Sequence, residues 1–152
     1  MGKVLPMKGG CACETIRYEC SADPVFTFFC RCRDCQRATG GPFAANVWFP
    51  TPAFKFTRGK PRSHVVTAHS GEPSRHEFCE NCGSPIGQLA DAYPDIRGIR
   101  AASLDDPSLL KPVAHVWVTN LLPWDKLDPS LRQFDRNVSH DEMSEIIGLG
   151  SD

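Results

Sequence analysis

The stretch Cys30-Arg31-Cys32-Arg33-Asp34-Cys35 places three thiols within six residues, and Cys79-Glu80-Asn81-Cys82-Gly83 sets two more on a second short turn. A third cluster, Gly9-Gly10-Cys11-Ala12-Cys13, precedes both. Zinc takes thiolates at about 2.3 Å in a tetrahedron, and closely spaced cysteine pairs supply its edges. A glycine after the second cysteine, as at Gly83, lets the backbone turn sharply enough for amides to face the sulfurs. Gly9-Gly10 is expected to serve the first pair in the same way.

Counting divides these ligands. Cys11, Cys13, Cys79 and Cys82 make up a closed four-thiolate site, whereas Cys30, Cys32 and Cys35 leave one position of a second zinc open to water or substrate. Two other arrangements compete with this one: a triplet drawn into a single structural site, and a triplet whose metal is purely structural or absent. Cys20 is left over; it continues the alternation of Ile16 and Tyr18 and reads as a buried strand residue. A disulfide framework fits poorly. Met1 to Gly10 carries Lys3 and Lys8 but no apolar run that would serve as a signal peptide, so a cytosolic, reduced protein is expected.

Outward from the cysteines, the chain alternates in steps of two. Candidate strands are Thr15–Cys20, Val25–Cys30, Phe43–Phe49, Phe54–Thr57, Ser63–Thr67, Arg75–Phe78, Ile96–Ser103 and His115–Val118. The 13 prolines and 12 glycines favour short strands and turns over long helices. Asp34–Thr39 can form a turn or two after Cys32. Ser139 and Glu142 make a capping box before Met143, Ile146 and Ile147, which predicts a short C-terminal helix. Residues 121–137, with Pro123 and Pro129, read as coil over the surface. At 152 residues this is expected to be one zinc-binding, mostly-β domain, with its core at 8–125 and a coil and short helix over 126–152. The net charge of −1 gives no general attraction to nucleic acid or anionic membrane, and no stretch is apolar enough to span a bilayer.

These residues together resemble the glutathione-dependent formaldehyde-activating enzyme family, which includes the centromere protein V domain. The matching pieces are Gly10-Cys11-x-Cys13, Cys30-x-Cys32-x-x-Cys35 with Thr39-Gly40 and Phe43-Ala44-Ala45, and Phe78-Cys79-x-x-Cys82-Gly83-Ser84-Pro85. Ser103-Leu104-Asp105, Pro112 with His115, and Pro123-Trp124 continue the match. The resemblance implies a β-tent of twisted antiparallel sheets clasped by zinc. It also implies a structural ion on Cys11, Cys13, Cys79 and Cys82 and a catalytic one on Cys30, Cys32 and Cys35. The family's reaction joins glutathione to formaldehyde and is classed as a carbon–sulfur lyase activity.

Position 31 departs from the family, where His or Asn is usual. Arg31, Arg33 and Arg37 would set three cations beside the open zinc and draw in an anionic ligand such as glutathione. With a thiol ionised in the fourth position, a small aldehyde beside it would meet a prepared nucleophile. The competing class is a non-catalytic zinc-clasped module that holds a thiol ligand or a protein partner. His76 and His115 read as ordinary structure, and Asp34 as an acceptor that stabilises its turn.

Overall fold

In the computed structural model, which describes residues 5–139, 141–143 and 145, the chain is mostly β, with eleven strands in two sheets. The smaller sheet joins β1 (Met7–Gly10), β2 (Arg17–Cys20) and β5 (Phe54–Arg58) in the order β1-β2-β5. The larger draws on β3 (Phe26–Cys30), β4 (Ala44–Pro50), β6 (Arg62–Thr67), β7 (Pro73–Phe78), β8 (Pro85–Ala90), β9 (Ile96–Arg100), β10 (Ala114–Val116) and β11 (Arg132–Gln133). Its order is β11-β10-β3-β4-β9-β8-β7-β6. Every pairing is antiparallel except those of β10, which runs parallel to both β3 and β11. One short helix, α1 (Arg33–Thr39), follows Cys32.

The strands at the centre of the large sheet are buried on both faces, and period-two geometry assigns each face a separate task. Val47 and Phe49 of β4 and Ile99 of β9 pack with Ile16, Tyr18, Cys20, Ile86 and Leu104 in the core shared with the small sheet. The opposite face carries Phe26, Phe28 and Cys30 of β3 and Ala44 of β4, which pack with Cys35, Val116, Phe134 and Val138. Phe134 and Val138 therefore belong to the core. Of the segment 121–137 expected to be surface coil, Phe134 is buried against the sheet while Trp124 stays exposed. Cys20 lies fully buried in the first core, as its alternation implied, and burial pushes its thiol up to about 12.

The expected helix after Cys32 is present and well closed. The Cys35 amide donates to Cys32 Sγ at the N-cap (3.2 Å), and Gly40 at φ 73° ends the helix in the left-handed region. The Ser139–Glu142 capping box forms reciprocally: each residue's amide donates to the other's side chain, at 3.2 and 3.1 Å. Ile146 and Ile147 of the expected C-terminal helix lie outside the described residues.

Candidate metal centre and adjoining cavity

The first cysteine group joins the two sheets. Cys11 and Cys13 sit on the β1–β2 turn, and Cys79 and Cys82 on the β7–β8 turn. Their sulfurs all lie within 4.8 Å of one another, with Cys11–Cys13 at 3.6 Å and Cys13–Cys79 at 3.8 Å. Four sulfurs about 2.3 Å from a common centre stand about 3.8 Å apart in a tetrahedron, so this group has the dimensions of a four-thiolate zinc site.

The β7–β8 turn forms as its sequence suggests. Gly83 adopts φ 79°, its amide donates to the Cys79 carbonyl (2.7 Å), and the Cys79 amide donates to the Ser84 carbonyl (2.9 Å). The β1–β2 turn forms differently. Gly9 and Gly10 remain in β1, and the left-handed residue is Glu14 at φ 66°. Gly10 is required by close approach, since a Cβ there would meet the Ile16 carbonyl oxygen at 2.2 Å. Polar neighbours favour thiolate at Cys13 and Cys82 of this group. The Thr15 hydroxyl and the Asn81 amide hold Cys13 down to about 5, and the Ser84 hydroxyl and amide bring Cys82 to about 7.

The second group, Cys30, Cys32 and Cys35, also gathers its sulfurs within 4.8 Å. Cys30 ends β3, Cys32 caps α1 and Cys35 lies in its first turn. Hydrogen bonds from Cys30 and Cys32 hold Cys35 well below the usual thiol range, and the charges of Arg100 and His76 act in the same direction. Hydrogen bonds with Cys32 and with Cys35, together with burial, push Cys30 up.

Behind Cys35 lies a buried polar network built from the same face of the large sheet. Arg100 Nη1 stands 3.8 Å from Cys35 Sγ and donates to Asn46 Oδ1 at 2.6 Å; Asn46 Nδ2 approaches Cys35 Sγ at 3.9 Å. Arg100 Nη2 lies 2.9 Å from His76 Nδ1. Strand register aligns these groups, with Asn46 opposite Arg100, Gln88 opposite Gly98, and His76 opposite Gln88. Sequence reading missed Asn46 and Arg100, and it took His76 for ordinary structure. The available signal was the two arginines set among apolar residues in Ile-Arg-Gly-Ile-Arg, 96–100, since cations in a buried strand need partners.

The triplet opens on a cavity of about 270 Å³, lined by its three cysteines and by Asn46, Trp48, His76, Gln88, Tyr93 and Trp117 among others. A second cavity, about 400 Å³, is also bordered by His76, together with Arg100 and Arg37.

The three arginines separate. Arg31 is 1% exposed and buried in a clasp. Its Nε donates to Asp125 Oδ2 (2.6 Å), Nη1 lies 2.7 Å from His115 Nδ1, and the guanidinium covers the Phe43 ring at 4.7 Å. An arginine neutralised in this way is not a free cation at the triplet, and the expectation of three such cations is corrected to one. Arg33, exposed and donating to the Gln36 side chain, lines the triplet cavity together with Asp34, while Arg37 lines the second cavity. His115 matches its reading as structure: the Asp128 amide donates to its Nε2 (3.0 Å) and Arg31 faces its Nδ1.

The family model described as "Glutathione-dependent formaldehyde-activating enzyme" matches residues 6–120. Among solved structures, a crystal structure of a Rhodobacter sphaeroides protein superposes with a TM-score of 0.52 at 23% identity, covering 70% of this chain and 92% of that one. That likeness is one of fold. Among the described residues, no helix is long and apolar enough to cross a membrane.

Proposed function

This chain belongs to the glutathione-dependent formaldehyde-activating enzyme family, and on that premise we propose that it is a zinc-dependent carbon–sulfur lyase. Its substrate would be the glutathione adduct of formaldehyde or of a related small aldehyde. The carrying observation is the contrast between the two thiol groups: one is a complete quartet on two turns, the other an incomplete triplet that lines a cavity. Zinc bound by Cys30, Cys32 and Cys35 would lower the pKa of a thiol placed beside it. Cys11, Cys13, Cys79 and Cys82 would hold the structural ion.

The remaining tasks fall to the chain's own residues. Arg100 and Asn46 hold Cys35 in place and as thiolate. Trp48, Tyr93 and Trp117 wall the cavity and exclude water from the reacting pair. Arg33, which lines the triplet cavity, offers positive charge to the carboxylates of glutathione. Arg31 acts at one remove, by fixing the loop that carries the triplet.

Calorimetry tests this reading. Zinc-loaded protein is expected to bind glutathione with release of about one proton, counted in buffers of different ionisation enthalpy, and the affinity should weaken as salt is raised. S-methylglutathione keeps the peptide but supplies no thiolate, and should bind at least about tenfold more weakly. Equal binding of both ligands without proton release would refute it.

A further inference from the structure

We propose that His76 is a catalytic residue of the triplet cavity, donating a hydrogen bond from Nε2–H to the aldehyde oxygen as the sulfur–carbon bond forms. This inference rests on the functional reading above. Its observation is an orphan: His76 is 7% exposed, it lines the cavity together with all three triplet cysteines, and its Nε2 is buried with no partner among the described residues. Leaving a buried polar group unpaired costs roughly 1–3 kcal/mol, so such a group calls for an explanation.

The neighbouring bond determines what this atom offers. Arg100 Nη2 stands 2.9 Å from Nδ1, and a guanidinium can only donate, so Nδ1 accepts and the ring hydrogen resides on Nε2. Burial and the Arg100 charge both lower the His76 pKa, which keeps the ring neutral and the tautomer fixed. The same guanidinium reaches toward Cys35 Sγ at 3.8 Å, so a single arginine registers the imidazole against the sulfur site. Trp48 Nε1 is also unpartnered, but it packs on the β9 backbone, where a Cβ at Gly98 would stand 3.3 Å away. Arg100 Nε is the third unpartnered donor, but Arg100 borders the second cavity and not the triplet's, whereas His76 borders both.

The step balances simply. The glutathione thiol gives its proton to solvent as it ionises. The sulfur lone pair then forms the S–C bond, the carbonyl π pair moves onto oxygen, and that oxygen takes a proton from water. His76 keeps its hydrogen throughout and stabilises the developing negative charge; in the lyase direction the same bond is made in reverse order.

Two substitutions separate this role from a structural one. His76→Asn places Oδ1 where Nδ1 accepts from Arg100 but removes the Nε2 donor. His76→Gln carries an amide donor close to the Nε2 position. With zinc-loaded proteins, exchange between formaldehyde and S-hydroxymethylglutathione is followed by magnetisation transfer. His76→Asn is expected to lose roughly 100-fold of the protein-dependent rate while glutathione affinity stays within about twofold, and His76→Gln should recover most of the loss. A purely structural role predicts the opposite ranking. Independently of any variant, the Nε2–H proton of the wild-type protein should shift downfield more with formaldehyde and glutathione together than with glutathione alone. Intact glutathione binding with an unchanged rate in His76→Asn, or an Nε2–H signal indifferent to the aldehyde, overturns the inference alone. A wild-type protein that does not bind glutathione overturns the functional reading, and this inference with it.

Discussion

At the scale of single residues, Cys32 does two things, and a substitution can separate them. It caps α1 through Sγ and supplies one thiol of the triplet. Serine is among the best N-cap residues, so Cys32→Ser keeps the cap and removes the thiolate. Its melting temperature should stay within a few degrees of wild type while zinc falls from two ions per chain towards one; parallel melting and metal analysis would show this, and unchanged zinc would argue against the triplet as a site. His115 supplies a pH signature. Burial first, and then the Arg31 charge, depress its pKa in the folded protein, so the unfolded chain binds its proton more readily. The resulting stability is complete above the ordinary imidazole value of about 6.5 and drains away as pH falls from there through the lower folded value. Denaturant melts between pH 7.5 and 5.5, with zinc in excess, should show a shallower decline for His115→Gln than for wild type; parallel profiles would contradict this. The cysteines were legible in sequence because their spacing is local. Arg31, His76 and Asn46 were not, because each is defined by a partner that the fold brings from elsewhere: Asp125 for the first, Arg100 for the other two.

At the scale of elements, the two sheets are stitched by β9. Arg97 Nη1 and Nη2 donate to the two Glu77 carboxylate oxygens at 2.5 and 2.8 Å, both residues being 7% exposed, and the guanidinium covers the Phe54 ring of β5 at 4.2 Å. Removing one partner strands a buried charge. Glu77→Leu alone should cost about 3–5 kcal/mol, whereas Glu77→Leu with Arg97→Met should recover a large part of it, because an apolar pair of similar volume fills the site without a desolvation penalty. Equilibrium denaturation of both variants would decide, and a double variant no better than the single would refute it. Most strands could be read from alternation, to within a few residues at their ends. β8 could not, since Pro85 and Gly87 interrupt its pattern; a Cβ at Gly87 would strike the Gly98 carbonyl oxygen at 2.5 Å, so close strand approach outranks propensity there. The parallel pairing of β10 was also invisible, because three residues carry no signal of direction.

At the scale of the whole molecule, the cysteine quartet links residues 11–13 with 79–82 and so ties the small sheet to the large one. Structural zinc can contribute about 10 kcal/mol or more to folding, so Cys82→Ser should lower the melting temperature far more than Cys32→Ser does, and a strong chelator should unfold the wild-type protein. Equal thermal losses for the two variants would reject the division into a structural and a substrate-facing site. The Arg31 clasp has a consequence of another kind, for where the chain can be cut. The family match ends at residue 120, yet the carboxylate that neutralises Arg31 and the backbone amide that fixes His115 come from residues 125 and 128. Arg31 is therefore satisfied only while the tail beyond residue 120 stays folded against it. Cutting the tail away while keeping Arg31 would strand a buried cation, so a truncation is expected to be tolerated better when Arg31 is replaced by a neutral residue.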